Sequence, residues 1–164
     1  MIEEKITQIK KEIGNNKLII VSKYRTNEEI MLAYNTGHRD FGENRVQELI
    51  KKYNELPKDI RWHMIGHLQK NKVKYIIPFI YLIHSVDSTK LLSVINEKSI
   101  QYNKKTNCLI QVKIAKEETK FGFTQEMVYN LLNSKFTEYY PNVNICGLMG
   151  MATATNQNYQ IENE

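Results

Sequence analysis

The sequence predicts an α/β protein made of βα units around a parallel sheet. Two observations carry this. Apolar strand-like runs alternate with amphipathic helical stretches at a period of roughly 20 to 30 residues, as βα units require. The runs are also nearly continuous in apolar residues, which is how strands covered on both faces read. Six such runs occur in 164 residues. A closed (β/α)8 barrel needs eight and about 250 residues, while an open doubly wound sheet has no such quota. On the residues alone both architectures stay open. No GxGxxG follows the first run, which argues against a dinucleotide-binding sheet.

The elements follow in order. Ile2, Ile6, Ile9 and Ile13 recur at helical spacing, and Gly14 stops them. "KLIIVSK" (17–23) reads as a buried strand. Thr26 then caps "NEEIMLAYNT", with Glu29 completing a capping box and Gly37 ending the helix. "RDFGE" (39–43) is a short strand, and "NRVQELIKKYNEL" is an amphipathic helix stopped by Pro57. "RWHMIGH" (61–67) is strand-like, "QKNKVKYII" a helix closed by Pro78, and "YLIHSVD" (81–87) the fourth strand. Ser88 caps a helix to about Tyr102. "NCLIQVKIA" (107–115), the helix "TQEMVYNLLNS" and "VNICGLMGMA" (143–152) complete the series. No low-complexity linker divides the chain, so a single domain over 1–164 is expected.

Composition excludes several classes. With 41% hydrophobic and 25% charged residues the chain is an ordinary globular one. No apolar run approaches the roughly 20 residues that cross a bilayer, and the N-terminus carries charges where a signal peptide needs an apolar stretch. A cytoplasmic protein with no membrane partner is expected. The net charge of +5 comes from dispersed lysines; the densest cluster, "QKNKVKY" (69–75), suits a solvated helix face or a small phosphorylated ligand. Only Tyr75 beside Lys72 and Lys74 hints at a nucleic-acid surface, so no nucleic-acid partner is expected. Cys108 and Cys146 have no pairing or metal spacing and read as buried free thiols.

In either architecture chemistry belongs at the C-terminal ends of the strands. Polar residues gather there: Ser22 and Lys23; Glu43, Asn44 and Arg45; Gly66, His67 and Gln69; His84, Ser85, Asp87 and Ser88; Lys113, Glu118 and Lys120; and Met149, Met151 and Thr153. Lys23 stands out, because a lysine ending a buried strand is either one that snorkels to water or a desolvated amine able to condense with an aldehyde. His63 and His67 have the spacing of a helical zinc pair, but their stretch is strand-like and lacks the HExxH glutamate, so they read as structural. His38 reads as a loop residue. No P-loop, kinase set or nucleophile elbow is present.

The segments "VSK", "RDFGENRVQE", "RWHMIGHLQKNKVKY", "LIHSVDS", "EETKFGF" and "GLMGMAT", in this order from about residue 18 to 155, resemble the pyridoxal phosphate homeostasis protein family. The resemblance implies a (β/α)8 TIM-type barrel of fold type III, similar to the N-terminal barrel of alanine racemase and here reduced to about six βα units. It implies that pyridoxal 5′-phosphate (PLP) is held as a Schiff base on Lys23, which matches the family's lysine. Asn44, in "GEN", becomes the leading polar contact to the cofactor; Met149 is expected to pack on its ring, with His84 and Ser85 as further contacts. Lys120 matches a rim lysine and suggests a role in cofactor exchange. The implied activity is PLP buffering and delivery to apo PLP-dependent enzymes without turnover, by a monomer or weak homodimer. The alternative is a racemase-like PLP enzyme, but no domain supplying a second acid/base is visible. The family's phosphate-binding segment would fall in two further βα units beyond Glu164, whose absence is expected to weaken PLP binding and leave two open sheet edges.

Overall fold

The structure, a computed structural model, describes residues 2–114, 121–153 and 159. Helix α1 (Ile2–Ile13) carries Glu3 and Glu4 in its first turn and Lys10 and Lys11 in its last, which suits the helix dipole; it ends at Gly14, whose φ of +58° a side chain would resist. Strand β1 (Ile20–Val21) leads to α2 (Asn27–Asn35), and the expected capping box is present: Thr26 Oγ1 accepts from Glu29 N–H while the Glu29 carboxylate accepts from Thr26 N–H. Strand β2 (Asp40–Glu43), helix α3 (Val46–Glu55) and strand β3 (Arg61–Met64) follow. A 3₁₀ turn at Lys70–Lys72 runs into the short α4 (Val73–Ile76), then strand β4 (Leu82–Val86). Ser88 caps α5 (Thr89–Gln101) by accepting from Leu91 N–H. Strand β5 (Thr106–Val112), α6 (Gln125–Asn133) capped by Thr124, a further short α7 (Phe136–Tyr139) and β6 (Val143–Gly150) complete the fold. No periodicity in the sequence announces α7.

The sheet order is β1-β2-β3-β4-β5-β6, and every pairing is parallel. This order decides between the two architectures. A doubly wound sheet reverses its strand order so that helices cover both faces. Here each crossover steps to the next strand in one direction, and right-handed crossovers then put every helix on the same face, as in a barrel wall. Phe41, Trp62, Met64, Ile83, Cys108 and Ile110 project from the strands into that helical layer and meet Leu49, Val73, Ile76, Leu92 and Ile95, all at 0% exposure. Burying each such side chain contributes about 1.5–3 kcal/mol, which makes this layer the source of cohesion.

Three expectations need correction. The first run is not a buried strand: only Ile20 and Val21 pair, β1 is an edge, and Val21 is 45% exposed. The last run is apolar in sequence but alternates in burial, with Leu148 57% exposed, because β6 is the other edge. Cys146 lies on β6 and is exposed, while Cys108 is buried as expected and burial pushes its thiol above the ordinary range. Continuous apolarity marks the strand, and it does not reveal which strands lack a neighbour.

Candidate functional site

At the C-terminal edge of the sheet, β1, β2, β3 and β4 are tied together by polar contacts. Ser22 N–H continues the ladder to Gly42 O at 2.8 Å, and the Ser22 hydroxyl reaches Gly42 O and Glu43 Oε2, each at 3.1 Å. Glu43 ends β2 facing the helices, where the Lys52 ammonium of α3 donates to Glu43 Oε2 at 2.6 Å and to Ser22 O at 2.7 Å. The other Glu43 oxygen accepts from Asn44 N–H at 2.8 Å. Asn44 in turn packs its backbone on Gly66: a Cβ there would stand 2.3 Å from Asn44 O. Ser85, from β4, donates its hydroxyl to Gly66 O at 2.6 Å. The edge is thus a continuous set of contacts from Ser22 to Ser85.

Lys23 follows Ser22 directly and is exposed, with no hydrogen bond or ion pair to any described residue. The desolvated lysine of this edge is Lys52, at 4% exposure, and its charge is already matched by Glu43. Asn44 Oδ1 is buried with no hydrogen-bond partner among the described residues, an uncommon condition for an amide oxygen. Beside it a cleft of about 180 Å³ is lined by Arg45, His67, Gln69 and Lys72, a cationic surrounding suited to an anionic group.

A second cluster occupies the face away from the helices. Asp40 opens β2, at the end of the sheet opposite Lys23. It accepts from Arg61 Nε at 2.8 Å and Nη2 at 2.5 Å, and Lys17 stands 3.5 Å away. Burial opposes ionisation of Asp40, yet the bonds from Arg61 and His63 and the charge of Lys17 hold its carboxyl well below the usual carboxylate range. His63 Nε2 lies 3.1 Å from Asp40 Oδ1, and His63 Nδ1 lies 2.9 Å from His84 Nε2. An ionised Asp40 can only accept, so His63 carries its proton on Nε2; its Nδ1 then accepts from His84 Nε2–H. Burial, with His63 alongside, pulls His84 down to about 4, so the pair is neutral near pH 7.

The structure brings some of the expected residues together and separates others. Lys23, Asn44 and Ser85 all belong to the C-terminal edge, but the Ser85 hydroxyl is spent on Gly66 O. His84 sits within β4 and not at its end, engaged with His63. Met149 pairs in register with Gln111, is half-buried, and shares the Gln111 face of the sheet. His67 leaves β3, lies 3.1 Å from Asp87 Oδ2 and stacks on Phe121 at 4.7 Å, so it never joins His63 in a metal pair. His38 is buried and bonds Asp40 O at 2.8 Å. Glu118 and Lys120 lie outside the described residues. Lys52, Asp40 and Arg61 are functional-edge and cluster residues that the sequence does not single out. A signal for Lys52 exists: it falls three residues after Leu49 on the apolar stripe of α3, where a solvated lysine has no place.

Comparison with known proteins supplies the family and the fold. The profile of the family described as "Alanine racemase, N-terminal domain" matches residues 1–163. The pyridoxal phosphate homeostasis protein of Haemophilus influenzae is 32% identical over 99% of this chain and 71% of its own length. The chain belongs to the pyridoxal phosphate homeostasis protein family, within the alanine racemase N-terminal fold. Another member of that family, from Aquifex aeolicus, is 42% identical over 81% of this chain, and the match spans 58% of that relative's length. Among solved structures, PipY of Synechococcus elongatus with PLP bound superposes with a TM-score of 0.87 at 30% identity, covering 99% of this chain and 76% of PipY. The Haemophilus and Aquifex relatives are named as homeostasis proteins and not as enzymes. Among the described residues of this family member, no helix is long and apolar enough to cross a membrane.

Proposed function

We propose that this chain binds pyridoxal 5′-phosphate through a covalent, reversible link to the Lys23 amine and acts in its buffering or delivery, without turnover. The observation that carries the proposal is the contrast between the two lysines of the edge. Lys52 is buried and committed to Glu43, whereas Lys23 stands two residues past the end of β1, reaches solvent and has no described partner. PLP, the cofactor bound in the PipY structure, is an aldehyde and a phosphate monoester, and it supplies a carbonyl that a lysine amine captures. The residues fit such a group. Asn44 offers a buried Oδ1 that no described residue partners, and Arg45 and Lys72 line the cationic cleft beside it. Met149 offers an apolar contact, and His84 contributes from within the sheet face. Ser85 acts by holding Gly66 and Asn44 in place.

Two observations support binding without turnover. Glu43 is engaged by Lys52, Ser22 and Asn44, and Ser85 by Gly66, so neither side chain stands free as a second acid/base beside Lys23. The partners that follow are PLP and recipient apo PLP-dependent enzymes, in the cytoplasm, with the chain a monomer or weak homodimer. Titration with PLP, followed by absorbance, tests the binding. A saturable band in the wild type that is lost in Lys23→Met supports it; equal bands in both overturn it. Conversion of L-alanine to D-alanine by the PLP-loaded chain would overturn the absence of turnover.

A further inference from the structure

The turn that presents Lys23 is held in a conformation its own sequence does not favour. Arg25 N–H closes it on Ser22 O at 3.0 Å, leaving Lys23 and Tyr24 at its centre, and Tyr24 has φ +61°. That is left-handed backbone, comfortable for glycine and accessible to Asn or Asp through local side-chain bonds, but strained for an aromatic residue. The Tyr24 ring does not offset the strain: it is 81% exposed and its one ring contact among the described residues is the Arg45 guanidinium, 5.8 Å from the centroid. Such a conformation persists where the surroundings over-determine it.

The surroundings converge on Ser22. Its carbonyl accepts Arg25 N–H and also the Lys52 ammonium at 2.7 Å, and its hydroxyl is directed at Gly42 O and Glu43 Oε2. Lys52 occupies a place on α3 where an apolar residue would pack, and burying an ion pair there is a poor route to stability alone. We propose that Lys52, paired with Glu43, is a positioning residue: it clamps the carbonyl of Ser22, keeps the strained turn closed, and so sets where the Lys23 amine stands to capture PLP. This rests on the reading of Lys23 as the PLP lysine.

The test uses the double variant Lys52→Met/Glu43→Gln, which removes the clamp without stranding one charge, and the same variant carrying Tyr24→Gly, which relieves the strain. Three quantities are read: thermal midpoint, hydrogen exchange of the Arg25 amide, and the rate at which PLP becomes fixed to Lys23 on borohydride quenching. In the double variant, labelling should slow and Arg25 exchange should quicken by about tenfold or more, the scale of one strained residue. Adding Tyr24→Gly should return labelling to within about threefold of wild type while the midpoint stays at the double variant's value. Wild-type labelling in the double variant overturns the proposal, as does failure of Tyr24→Gly to rescue it. Should the double variant not fold, Lys52→Arg keeps the charge but alters the reach, with the same slowing and rescue expected and a wild-type rate again overturning the idea. If the wild type itself does not label Lys23, the function proposed above fails, whereas Arg25 exchange still decides whether the clamp exists.

Discussion

Acid should destabilise this protein earlier than its carboxylates alone would allow, because His84 is folded neutral. Its ordinary value of 6.5 falls to about 4 in the fold, burial being the main cause and neighbouring His63 the second. The unfolded chain therefore binds the proton that the folded chain refuses, and stability falls as pH drops between those two values. The full contribution is present above about 6.5. For one histidine shifted this far, linkage gives a loss of roughly 2 kcal/mol between pH 7 and pH 5. His38 and His63 are also lowered by burial and add in the same direction, so the wild-type slope should exceed that of one group. Asp40 acts lower down: its depressed carboxyl contributes stability above its unfolded value that disappears only on strong acidification. Urea unfolding at pH 7, 6 and 5, for wild type and His84→Gln, measures the effect. The variant should lose about 2 kcal/mol less than wild type across that range. Identical slopes in the two proteins, or a wild type indifferent to pH above 5, would refute the assignment of a buried neutral His63–His84 pair.

Other substitutions test the edge and the core. Gly66→Ala forces a methyl into Asn44 O, 2.3 Å away, and should cost about 1–3 kcal/mol in chemical unfolding while also weakening PLP binding. Asn44→Ala removes an amide oxygen that has no partner among the described residues, so stability should change by less than about 0.5 kcal/mol, whereas PLP affinity in titration should fall about tenfold. Trp62→Ala empties a site at 0% exposure between β3 and the helices and should cost about 3–5 kcal/mol by denaturant unfolding, with Lys23 chemistry intact in the folded fraction.

The strands and helices are legible because their periodicity and caps are local. Thr26 and Ser88 announce their helices within four residues, and each cap forms. The choice between barrel wall and doubly wound sheet is not legible from residues alone, since it depends on strand order, which no local pattern encodes. The edges stay hidden for the same reason: Val21 and Cys146 sit in runs as apolar as any buried strand, and only a missing neighbour exposes them. At the site, Lys23 can be singled out by its place after an apolar run, but not the turn that carries it. Tyr24 gives no hint of a left-handed backbone, because its conformation is imposed by Ser22 and by Lys52, which lies 30 residues beyond Ser22. His84 is expected at a strand end because polarity suggests the rim; Val86 closes β4, and the His63 and Asp40 partners that let His84 stay inside the sheet come from other strands.

The proposed role of this chain turns on one amine. The most direct measurement is to incubate the protein with PLP, reduce with borohydride, digest, and map the labelled peptides by mass spectrometry. A saturable label concentrated on Lys23, with buried Lys52 unlabelled, is the predicted result. Labels scattered over surface lysines, or concentrated on any lysine other than Lys23, would contradict it.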